Sequence, residues 1–297
     1  AGSTWLPAED LRYGQPKQAQ RPTALYVPDL KALVPPVASE LRELVERFKI
    51  DRESLLRVYS VPNSTLQLRR LREFYLSWQE QLDAMPYDAL GTEGRIDWQL
   101  MRLQLRYELG LIARTEKRHT EMASFMGFAD DIAALQETRR EFEPVVAAAA
   151  AASLEKIRQA IEDAQRKLAG EVSPPNKILA YRAASRLGDL SKTLKDWYEF
   201  YEGYDPQFSW WNREPYKKTA AALDDYAKFL REKIVGAKAE EAEPIIGDPI
   251  GAEGLALDLE HEMMPYTPAE LIAVAEKEFA WCEAEWKKVA RDMGLGD

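Results

Sequence analysis

Pro265-Tyr266-Thr267-Pro268-Ala269-Glu270-Leu271 opens the last helix of this chain and decides its fold class. Thr267 is an N-cap residue. Pro268 suits the first helical position, where its missing N–H is not needed, and Glu270 completes a capping box with the threonine. The helical pattern then runs almost to Met293-Gly294-Leu295. Ahead of it stands a Pro/Gly-rich connector, Pro244 to Gly251, leading to a short helix that ends near Met264.

The same period recurs through the rest of the chain. From Val37 onward Leu41, Leu44, Val45 and Phe48 fall at helical spacing, with Glu40, Arg42, Glu43 and Glu46 between them. After a turn at Ser60-Val61-Pro62-Asn63-Ser64, an apolar stripe of Leu68, Leu71, Tyr75, Trp78 and Leu82 predicts a second helix, broken at Met85-Pro86-Tyr87. Asp97 to about Arg118 reads as a third, carrying Trp98, Met101, Leu105, Leu109 and Ile112. A fourth runs from about Pro144 through six consecutive alanines, strong helix propagators that also permit close packing, and stops at Gly170. Ser173-Pro174-Pro175 opens a fifth that reaches Tyr201. An aromatic loop, 201–211, follows, then a helix to about Val235. No segment alternates in period two, so the expected fold is all-α, with long antiparallel helices. The expected organisation is a proline-rich extended leader over 1–36, a helical domain over 37–243, and a connector plus capped long helix over 244–297.

Composition narrows the partners. The chain has 297 residues, a net charge of −10 and no basic stripe, which argues against nucleic acid and against an anionic membrane surface. No apolar run is long enough to cross a bilayer. With a single cysteine, Cys282, neither an intrachain disulfide nor a cysteine-based zinc site can form. The start at Ala1-Gly2-Ser3 fits a product left by signal removal or trimming, and an exported location is favoured over a cytoplasmic one.

Chemistry is harder to find. His261-Glu262 begins the His-Glu-x-x-His pattern of helical zinc peptidases, but the fifth position is Pro265, so the pattern is not completed. His261 then reads as a helix-end histidine near the C-terminal dipole. A two-metal carboxylate site would use Glu-x-x-His turns, which Glu116-Lys117-Arg118-His119 and, loosely, Asp258-Leu259-Glu260-His261 could supply. Such spacing is easily met by chance among 50 acidic residues, and the stretch around His119 reads as a solvated face. Cys282 reads as a small buried residue. Tyr201, Tyr204, Phe208, Trp210 and Trp211 form the best binding candidate. They would either line a pocket or fill the gap between two long helices, and the burial habits of aromatics favour the second.

Further signals mark a family. Arg47-Phe48-x-x-Asp51, Tyr59-Ser60-Val61-Pro62-Asn63-Ser64 and Leu71-Arg72-Glu73-Phe74-Tyr75-x-x-Trp78 stand near the start. Gly94-Arg95-Ile96-Asp97-Trp98, Phe200-Tyr201-Glu202-Gly203-Tyr204-Asp205-Pro206, Trp210-Trp211-x-x-Glu214-Pro215-Tyr216 and the segment from Ile246 to Asp297 follow. Together they resemble the N-terminal half of the family called domain of unknown function 885. That resemblance implies a mostly helical protein nearly twice this length, similar to the gluzincin-like zinc metallopeptidases. Its His-Glu…Pro-Gly-His metal motif would lie in a C-terminal half. No catalytic or metal-binding residue carries over to this chain, and zinc is expected in the missing half.

What carries over is one wall of a substrate cleft, for which Tyr204, Trp210, Trp211 and Tyr266 are the candidates. The expected partners are the protein's own C-terminal half and a peptide substrate. The alternative is a non-catalytic helical binding or scaffold protein that uses loop 201–211. A chain that is one half of a larger fold should leave an apolar face open, here among Leu271, Val274, Phe279 and Trp286 of the last helix.

Overall fold

The computed structural model describes residues 39–141, 144–170, 175–237 and 245–295. Among these residues all regular structure is helical. The elements are α1 (Arg42–Val58), α2 (Thr65–Asp83), α3 (Thr92–Glu121), α4 (Ala129–Arg140), α5 (Ala147–Ala169), α6 (Lys177–Tyr201), α7 (Pro206–Phe229), α8 (Gly251–His261) and α9 (Pro268–Asp292). A short 3-10 turn, Tyr87–Ala89, precedes α3, and a π-helical turn, Leu230–Val235, prolongs α7 until Gly236 ends it at φ +89°. Among the described residues no helix is long and apolar enough to cross a membrane.

The starts follow capping chemistry. Ser64 caps α2 by accepting from the Gln67 amide, and Asn176 caps α6 by accepting from Ile178 and Leu179. The Thr267/Glu270 capping box opens α9 as expected. Gly91, at the start of α3, has no capping side chain of its own. Its N–H donates instead to Glu40, 2.9 Å away, a carboxylate standing at the positive end of the helix dipole.

Two hydrophobic cores result. The first joins α1, α2 and α3 through Phe48, Leu68, Leu71, Tyr75, Leu82, Trp98, Met101 and Leu105. Inside it Arg52 donates to the Tyr75 hydroxyl (2.8 Å) and to Glu108 (2.9 Å), so the buried phenol has a partner. The second core joins α4 to α7 through Phe128, Ile132, Leu154, Ile157, Ile161, Leu187, Trp197, Phe208 and Tyr226. The alanine run lies on α5, whose pairing with α7 is the most extensive in the fold. Asn212 donates to the Ala147 carbonyl (3.1 Å) and Thr219 to that of Leu154 (3.0 Å), stitching the two helices together.

Several expectations need correction. The leader over 1–36 lies outside the described residues, as do Val37, Ser173, Pro174 and Pro244. The helix expected from Asp97 begins at Thr92, and α4 was not foreseen. Loop 201–211 contracts to 202–205, because Asp205 caps a new helix by accepting from Gln207 and Phe208, with Pro206 at its first position. Phe208, Trp210 and Trp211 are therefore helical. Cys282, expected to be buried, is exposed, because no residue of α9 is buried.

Candidate functional site

Asp205 and Pro206 set the geometry of the aromatic candidates. Phe208 is drawn fully inward and packs against Trp197 (5.3 Å between centroids), Tyr198 and Tyr201. Trp210 and Trp211 are turned away from that core and meet edge to face at 5.2 Å. Tyr204 follows Gly203, whose φ of +80° forms the turn. Tyr204 and Trp210 are 83% and 77% exposed, and Trp211 is 42% exposed. Phe208 thus fills the gap between helices, while Tyr204, Trp210 and Trp211 present an open aromatic edge. Tyr266, also exposed, sits in the turn between α8 and α9, and no ring contact joins it to the other three.

A second constellation lies where the two cores meet, assembled from residues far apart in the chain. Arg182 on α6 donates to Asp248 through Nε (2.7 Å) and to Glu121 on α3 through Nη1 (2.6 Å). Arg118 on α3 reaches the other Asp248 oxygen at 3.1 Å. Arg186, deeply set on α6, donates to the carbonyls of Pro62 and Asn63, the latter at 3.1 Å. Asn63 adopts a φ of +54° in the turn before α2. Ser64 and Thr65 donate to Glu137 (2.5 Å) and Asp130 (3.0 Å) on α4. Two adjoining cavities, about 280 and 200 Å³, share Asn63, His119, Met122 and Arg186 as walls. His119 is therefore half-buried and not on a fully solvated face. Burial, and then the charge of Arg186, hold its pKa below the ordinary imidazole value.

Apart from His119, the groups considered for metal binding are otherwise engaged. Glu116 pairs with Arg72, Asp258 with Arg114 (3.1 Å) and Glu260 with Arg106. His261 occupies the last turn of α8, as expected for a helix-end histidine, and stacks on Tyr107 at 3.8 Å with rings 4° from parallel. Among the described residues no group of three or more histidine, cysteine or acidic side chains is arranged to hold a metal ion.

The profile of a family described as bacterial protein of unknown function (DUF885) matches residues 55–297. The chain belongs to the DUF885 family. Neither the curated proteins nor the solved structures return a match. The DUF885 match runs from late α1 through α9 and so covers the second core, the polar junction, the aromatic edge and the first core except for the α1 residues before 55, such as Phe48.

Proposed function

We propose that this DUF885 chain is the helical half of a zinc-dependent, peptidase-like hydrolase, forming one wall of a substrate cleft whose metal is carried by a separate C-terminal half. The gluzincin-like form of the whole belongs to the same proposal. The observation that supports it is α9. Val274, Phe279 and Trp286, expected to face a missing half, are exposed, and Leu271 is half-buried. Large apolar side chains left open in this way mark a surface that is covered in the working protein.

The residues present do not themselves fit zinc. The two histidines lie on different helices, His261 is stacked on a tyrosine ring, and the nearby carboxylates are held by arginines. No catalytic step is therefore assigned to this chain. Its part is to hold substrate, with Tyr204, Trp210, Trp211 and Tyr266 as the wall.

The test is zinc content and chelator-sensitive peptide cleavage by the product of the full gene, with this chain alone inactive. A full product that binds no zinc and cleaves no peptide would remove the reading. It would favour the second one, a non-catalytic binding protein, which the solvent-facing rings of Tyr204 and Trp210 support.

A further inference from the structure

No residue of α9 is buried, and apart from Val274 and Trp281 its large exposed apolar side chains fall on one stripe. Ile272, Ala275, Phe279, Cys282, Trp286, Val289 and Met293 follow one another in alternating steps of three and four. That spacing lays them along one stripe of a helix, the pattern that packs against a second helix. Ile272, Phe279, Trp286, Val289 and Met293 are 60, 68, 73, 52 and 67% exposed. Both margins of the stripe are acidic. Glu276 and Glu283 border one side, and Glu278, Glu285 and Asp292 border the other. Lys277, Lys288 and Arg291 sit away from the stripe, Lys287 stands outside the Glu276/Glu283 margin, and Lys288 reaches back to pair with Glu285 at the other margin.

Charge at these margins selects partners, because the residues beside an apolar helical seam face those of the partner helix. Two copies of α9 would oppose carboxylate to carboxylate in either orientation. We infer that the α9 stripe docks an amphipathic helix whose apolar seam is bordered by lysine and arginine, and not a second copy of this chain. The inference rests on the proposed two-half reading and adds the charge of the face that covers α9.

Two synthetic helical peptides with the same leucine seam test it, one with lysine at every margin position and one with glutamate. Binding to the 297-residue chain is followed by anisotropy of the labelled peptide. The lysine peptide is expected to bind at least about ten-fold more tightly at low salt and to lose most of that advantage near 0.5 M salt, where charge interactions are screened. Phe279→Ala with Trp286→Ala should abolish binding. Their exposure means the fold survives, which circular dichroism verifies. Glu276→Lys, Glu278→Lys, Glu283→Lys and Glu285→Lys together should reverse the preference. Equal binding of both peptides, no binding of either, binding that survives loss of Phe279 and Trp286, or self-association of the chain through α9 would each overturn the inference. Zinc content and hydrolysis play no part in this test, so its failure and that of the hydrolase reading can be told apart.

Discussion

Leu257 of α8 rests against the bare backbone of Gly110 on α3: a Cβ placed on that glycine would stand 2.3 Å from Leu257 Cδ2. Gly110 lies between Arg106 and Arg114, one helical turn from each, and these arginines hold Glu260 and Asp258 of the same short helix. Glycine costs a helix interior about 1 kcal/mol relative to alanine, so its presence buys close approach. Gly110→Ala should therefore leave α3 intact or slightly strengthened while displacing α8. Hydrogen exchange would show faster exchange over 251–261 with no loss in melting temperature. Unchanged protection of α8 would mean that Gly110 is not its seat.

Arg182 joins α3, α6 and the 245–250 segment through one guanidinium that is 15% exposed. Arg182→Ala leaves Asp248 with Arg118 alone. A charge-assisted hydrogen bond is worth about 1.5–3 kcal/mol, less where solvent screens it. The expected result is limited proteolysis within 245–250 at protease levels the parent resists, with both cores still folded by circular dichroism.

His119 supplies a pH dependence. Its folded pKa lies below its unfolded value, so the unfolded chain takes up the proton first as pH falls. The folded state then loses stability below the ordinary imidazole range, near 6.5, and this loss continues down to the lowered folded pKa. Denaturant midpoints at pH 7.5 and pH 5 should differ less for His119→Asn than for the parent. An identical difference in the two proteins would show that the imidazole does not titrate in this way.

The cleft wall can be separated from the core by paired substitution. Trp210→Ala with Trp211→Ala removes exposed rings and should shift stability by no more than about 1 kcal/mol. Phe208→Ala empties a fully buried site and should cost about 3–5 kcal/mol. If the rings hold substrate, the first pair lowers kcat/KM of the full gene product for peptides while its melting temperature stays in place. Unaltered kinetics would remove Trp210 and Trp211 from the wall.

What could be read in the sequence follows from how local each signal is. The Thr267 box announced α9 because all its atoms lie within four residues. Asp205-Pro206 carried an equally local start signal for α7, and the density of aromatics around it masked that signal. The α4 helix lacks a side-chain cap and shows only a weak apolar face, so its stability comes from the second core, in which Ile132 and Ala133 are buried. The junction of Arg182, Asp248 and Glu121 spans up to 127 positions along the chain, from Glu121 to Asp248, and no local pattern encodes it. Cys282 is exposed, and its burial state was not legible, because burial of a helix face depends on a partner that the helix's own residues do not name.

The return of α8 to α3 also orders events during synthesis. Residues up to 121 already contain the first core, and the contacts between neighbouring helices that build both cores close quickly. Arg114, however, waits for Asp258, 144 residues further on. The face of α3 that bears Gly110 must therefore stay wet while more than a hundred residues leave the ribosome.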